Sequence, residues 1–261
     1  MRLIAKAKLS LSSLLLAAGI GFSAPSEATI VEFQTSMGSF QVNLYDETTP
    51  ATVANFLAYV NAGSYENIII HRSVPGFVVQ GGGFAYNGAL PLNDIDSNPA
   101  VANEPKLSNV RGTIAMAKLS GNANSATNEW FFNLADNSAN LDVQNGGFTV
   151  FGEVIGDGMQ VVEAIAALDR FNFGGALTNL PLRDYTTTDA TNGVDPDADN
   201  FLIISNVIII DPAANTAAGL NPPENTLLNN NNNSDDGGGG SLGFAGLALL
   251  LGLSTLRRRK A

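Results

Sequence analysis

The 261-residue chain has no cysteine, one histidine (His71) and one tryptophan (Trp130), and its 24 acidic residues outnumber 13 lysines and arginines. Without cysteine there is no disulfide and no thiolate, although this alone does not assign a compartment. With one histidine and no thiolate the usual zinc ligand sets cannot be assembled. A serine-histidine-carboxylate triad would have to use His71, and no glycine-flanked serine elbow accompanies it. Gly81-Gly82-Gly83 does not open a helix, so it is not a phosphate loop. The shortage of positive charge is sharper than the net charge of −11 suggests. Residues 1–28 and 242–261 hold seven of the basic side chains and one acid; the rest keeps six basic and 23 acidic residues, a net of −17. Such a body repels nucleic acid and favours solubility.

Long apolar runs are also missing from the body and confined to the two ends. Residues 1–28 have a basic start (Arg2, Lys6, Lys8), an apolar run over 9–22 and small residues around Ser26-Glu27-Ala28, the pattern of a cleaved secretory signal peptide. Residues 212–241 read as a flexible linker that passes through the asparagine run 229–233 to the glycines 237–240. Residues 242–256 are apolar but short for a full bilayer span, and Arg257, Arg258, Arg259 and Lys260 follow. This three-part tail resembles the GlyGly-CTERM sorting signal of Gram-negative bacteria. The resemblance implies transient anchoring in the inner membrane and cutting near the glycines by a rhomboid-type protease, after signal peptidase has acted at the other end. The expected location is then the periplasm, the cell surface or the medium.

Between these ends the chain reads as strands with two helices. Residues 29–35 and 39–45 alternate around Ser36-Met37-Gly38, which predicts a hairpin. Thr49 is a candidate cap with Pro50 at the first helical position, and Val53, Phe56, Leu57 and Val60 form an apolar stripe that ends at Gly63. A second helix is expected over 157–168, with Met159, Val162 and Ile165 inward. Further strands are expected at 113–117, 130–134, 148–154 and 201–210. Residues 169–200 are polar with weak periodicity and are expected to be a structureless surface insertion. Their aspartates 195, 197 and 199 lack the glycine and the final glutamate of an EF-hand.

The most informative stretch is 68–84, IIIHRSVPGFVVQGGGF. Burying Arg72 among isoleucines and valines is costly unless its donors are satisfied, so it has a structural or chemical role. Alternation predicts a turn at Pro75-Gly76 and a second strand over 77–80, with Phe77 and Val79 on one face and Val78 and Gln80 on the other unless a bulge intervenes. His71 is expected to face away from Arg72 and to be structural.

This stretch resembles the signature of the cyclophilin family of peptidyl-prolyl cis-trans isomerases. RGTIAMA at 111–117, NSATNEWFFN at 124–133, Leu141-Asp142 and FTVFG at 148–152 are similar to further blocks of that family, in its order. The resemblance implies a mainly β fold, a closed antiparallel eight-stranded barrel capped by two helices, over residues 29–211. It implies an isomerase that acts on proline-containing polypeptides with no cofactor or metal. Arg72, Phe77 and Gln80 fall on its catalytic positions. Val78, Ala117, Lys118, Glu129, Phe131, Leu141 and Phe148 fall on its substrate-binding positions. Family members often carry methionine where Val78 stands, asparagine for Lys118, glutamine for Glu129, tryptophan for Asn140 and histidine or tyrosine for Phe148. The Asn140 departure implies weak cyclosporin binding. A carboxylate at 129 could hold or partly neutralise Arg72. The alternative reading is a non-catalytic surface peptide-binding module on the same fold.

Overall fold

The computed structural model describes residues 29–212, 216–217 and 219–230; the signal-peptide and sorting-tail expectations, 1–28 and 242–261, lie outside the described residues. The chain forms strands β1 (Ile30–Thr35), β2 (Gly38–Leu44), β3 (Ile68–Val74), β4 (Val78–Ala85), β5 (Asn93–Asp94), β6 (Thr113–Met116), β7 (Trp130–Asn133), β8 (Val150–Ile155), β9 (Asp169–Phe171), β10 (Leu180–Leu182) and β11 (Ile203–Asp211). Its α-helices are α1 (Pro50–Asn61), α2 (Ser138–Leu141), α3 (Gly158–Ala166), α4 (Thr187–Asn192) and α5 (Leu227–Asn230). The order β3-β11-β1-β2-β8-β6-β7-β4 returns to β3 through the β3–β4 pairing, which closes an eight-stranded barrel; β5 only extends the end of β4. Every pairing in this circuit is antiparallel.

Period-2 alternation divides β4, β6 and β7 between an interior and an outer cluster. Val31 and Phe33 of β1, Ile114 and Met116 of β6, Val79 of β4, and Trp130 and Phe132 of β7 fill the barrel. The alternate residues Ala115, Phe131 and Val78 belong to a second cluster on the outside. Val53, Phe56 and Tyr59 of α1 and Met159, Val162 and Ile165 of α3 join the interior cluster, so both helices close the barrel core. The α1 face differs from the expected stripe, because Tyr59 and Thr52 are buried while Leu57 and Val60 are only partly so. Thr49 does not cap α1 with its side chain; the Glu104 carboxylate accepts from Thr52 N (2.9 Å) and Oγ1 (2.8 Å) instead, an anion at the helix N-terminus.

Residues 169–200 depart from the expectation of a structureless insertion. β9 pairs with β10, α4 carries a capping box between Thr186 and Asp189, and Leu180, Leu182 and Tyr185 form a third cluster with Ile69 and Phe201. Segments of three residues such as β9 and β10 are too short to show a period, and polar residues surround them. The linker expectation also changes. Part of 212–230 is docked on the barrel, with Ser108 N donating to Pro223 O (2.8 Å) and Asn225 N to Lys106 O (2.9 Å).

Candidate active site on the outer barrel face

Strict alternation along β3 would turn Arg72 inward, because Ile68 and Ile70 both belong to the interior cluster. A register shift between Ile70 and Arg72 prevents this and pairs Arg72 with Gln80 across the β3–β4 ladder. One extra residue re-aims a side chain, the usual use of a bulge. Gln80 lies on the outer side, since Val79 beside it points into the barrel and Val78 belongs to the outer cluster. Phe77 is in the turn rather than in β4, its N–H donating to Val74 O (3.0 Å), and it packs with Val78 instead of opposing it.

Arg72 Nη1 donates to Gln80 Oε1 (3.1 Å), and Gln80 Nε2 donates to Glu129 Oε2 (2.7 Å). The same oxygen is 3.4 Å from His71 Nε2. His71 therefore does not face away from this network; it lies buried at the carboxylate that holds Gln80, with its ring edge-on to Phe84. Burial draws the Arg72 guanidinium down from its ordinary pKa, and the Glu129 charge draws it partly back. The glycine run makes this approach possible. A Cβ at Gly83 would lie 2.9 Å from Glu129 Cδ, and one at Gly82, where φ is +91°, would lie 2.4 Å from Asn128 O.

Beside the polar line lies the outer apolar cluster. Register places Gln80 opposite Phe131 and Phe131 opposite Ala115, so the arginine line and the aromatic wall sit on adjacent strands. Phe131 and Phe148 meet edge to face at 5.8 Å, and Val78, Ala117 and Leu141 complete the cluster, with Phe77 partly buried against it. Phe148 N donates to Leu141 O (2.8 Å), which fixes the two ends of the loop between them. Lys118 is placed differently from a substrate contact. Its ammonium donates to Asn145 O (2.9 Å) and Gly147 O (2.5 Å) and lies 4.7 Å above the Phe148 ring. Burial lowers its pKa to about 8. Lys118 thus braces the loop below Phe148. Asn140 is exposed at the end of α2.

The arrangement sets a guanidinium beside an apolar, aromatic cluster. Residues 30–187 match the family described as cyclophilin type peptidyl-prolyl cis-trans isomerase/CLD. The chain belongs to the cyclophilin-type isomerase family. It is 42% identical over 155 residues to peptidyl-prolyl cis-trans isomerase A of Dickeya dadantii, covering 58% of this chain and 78% of that protein. It is 40% identical over 152 residues to a peptidyl-prolyl cis-trans isomerase of Acinetobacter baylyi, covering 56% and 76%. Isomerase B of Escherichia coli is 38% identical over 142 residues, covering 52% and 83%. These relatives carry the name of an enzyme.

The structure brings Arg72, Gln80 and Glu129 into one line, and Phe77, Val78, Ala117, Phe131, Leu141 and Phe148 into one cluster. Sequence reasoning missed the part played by His71 and a buried asparagine network behind the pocket. The only signal for the latter was the density of asparagines near the aromatic block, at 109, 133 and 137.

Proposed function

We propose that this cyclophilin accelerates cis-trans isomerisation of X-Pro bonds in exported polypeptides by binding the twisted amide better than either planar form. Uncatalysed rotation takes tens of seconds or more, because amide resonance must be broken. No covalent step is needed; differential binding suffices. At the twisted state the nitrogen becomes pyramidal and gains a lone pair, and a guanidinium donor aimed there stabilises that state above the ground state. Arg72 supplies the donor, Gln80 and Glu129 hold it, and the Phe77, Phe131, Leu141 and Phe148 wall holds the ring. The observation that carries the reading is the Arg72–Gln80–Glu129 line running beside that wall. The test is catalysis of isomerisation of a short Ala-Pro peptide by the purified chain. Acceleration unchanged by EDTA is expected; peptide binding without acceleration would support the non-catalytic module instead.

Export is the second half of the proposal. It rests on the signal-like residues 1–28 and on one contact. Thr29 N lies 2.8 Å from Asp46 Oδ2, with Thr29 Oγ1 at 3.1 Å from Oδ1. Cleavage after Ala28 would set a new α-ammonium on that carboxylate. Residues 237–261 complete the reading as a temporary anchor, with release at the cell surface or into the medium of a Gram-negative bacterium.

A further inference from the structure

Described residues beyond β11 pack against the barrel. Ala217 and Leu220 pack against the outer cluster that contains the pocket residues. Leu107 and Glu224 then form an antiparallel bridge, and Ser108 Oγ donates to Glu224 O (3.1 Å). Asn225 is 8% exposed and is held from three sides. Its N–H donates to Lys106 O (2.9 Å), its Nδ2 donates to Asp142 O (2.9 Å), and its Oδ1 accepts from Leu227 N (3.1 Å) at the start of α5. One turn on, Leu228 Cδ1 is 3.2 Å from the place a Cβ would take at Gly147. The segment therefore touches both ends of the loop between Leu141 and Phe148.

Asp142 connects this segment to the pocket. It is fully buried, and its Oδ1 accepts from Asn109 N (2.7 Å) and Nδ2 (2.9 Å). Asn109 Nδ2 also donates to Phe148 O (3.1 Å). Asn133 Nδ2 donates to Asn109 Oδ1 (3.2 Å), and Asn137 Nδ2 donates to Asn133 Oδ1 (2.7 Å) and to Phe77 O (2.9 Å). A continuous buried series thus runs from Asn225 to the backbone of Phe77 and Phe148. Asp142 Oδ1 carries these bonds while its Oδ2 is buried with no hydrogen-bond partner among the described residues, so the series has little slack and loosens when one more partner is lost.

We propose that the docked residues 217 and 219–228 are a strap that belongs to the peptide site, with Asn225 as a positioning residue that holds the Leu141–Phe148 wall through Asp142. The functional unit then extends to about Leu228 and does not stop at Asp211. The inference rests on the assignment of the proline pocket to Phe77, Phe131, Leu141 and Phe148. Asn225 touches no reacting atom. Its loss leaves the buried Asp142 carbonyl without its Nδ2 donor and lets the wall relax, while Arg72, Gln80 and Glu129 keep their contacts.

The experiment uses the full chain with Asn225→Ala and Asn225→Asp; the aspartate keeps the size and the Leu227 acceptor but offers Asp142 O no donor. With a short Ala-Pro peptide, both variants should raise KM by about 3- to 10-fold and leave kcat nearly unchanged, the effect of one lost hydrogen bond acting on binding. Amide hydrogen exchange should quicken at Phe148 and Asn109 but not at Val79 or Ile114 in the barrel wall. Unchanged KM in both variants would overturn the proposal. So would exchange that rises equally everywhere, which marks general destabilisation, or activity that increases, which marks the strap as an obstruction. Arg72→Ala measured alongside separates the two readings. If it stays fully active the pocket assignment is wrong; if it is inactive while the Asn225 variants are normal, only the strap fails.

Discussion

A glutamine can present either its oxygen or its nitrogen to an arginine, and in this site a neighbour settles the choice. Glu129 only accepts, so Gln80 turns its Nε2 to the carboxylate and its Oε1 to Arg72. A side chain that cannot accept removes the preference. Glu129→Met should lower kcat/KM by about 10-fold, whereas Glu129→Gln, whose carbonyl oxygen can still accept, should keep most of the activity. Equal activity in all three proteins would show that Gln80 is oriented by something else. Lys118 gives a pH-dependent prediction. Its ammonium is easier to deprotonate in the folded state, at about pH 8, than in the unfolded chain, where its ordinary value is 10.5. Between those values the unfolded state binds more protons, so stability rises with pH, and the cost of the buried charge is fully present below about pH 8. The Tm of the natural chain relative to Lys118→Met should therefore climb from pH 8 to pH 10.5. A difference that stays flat would mean that the amine is not desolvated.

At the scale of elements, β1 and α3 were legible because each is long enough to show its period and has one face in the core, whereas β6 and β7, four residues each and buried on both faces, were legible only through the family-like blocks that contain them. Arg72 and the aromatic pocket were legible too, through motif resemblance, but the reason Arg72 faces outward was not. The bulge between Ile70 and Arg72 depends on pairing with β4, which local sequence does not encode. The same holds for 169–200, where Leu180 and Leu182 are spaced among polar residues yet pack on Ile69. That packing has a measurable weight. Leu180→Ala should reduce the free energy of unfolding by about 2–5 kcal/mol in urea titration, as for other fully buried leucines. A surface loop would lose almost nothing. The strap was illegible for a different reason: backbone hydrogen bonds hold much of it, and these leave no pattern in the side chains.

For the molecule as a whole, the acidic body, the two processed ends and the barrel form one proposal: an exported folding catalyst that is soluble once released. Mass spectrometry of the native protein should find a mature chain that begins at Thr29 and ends near Gly237–Gly240. A chain that retains Arg257-Arg258-Arg259-Lys260-Ala261 at the cell surface would refute the sorting reading. The central claim, however, concerns one side chain. If Arg72 stabilises the twisted amide, then Arg72→Ala should fold with an unchanged circular dichroism spectrum and lose about 10²-fold or more in kcat/KM for an Ala-Pro peptide, the loss typical of one donor aimed at a transition state. A folded Arg72→Ala protein with the full activity of the natural chain would contradict the mechanism.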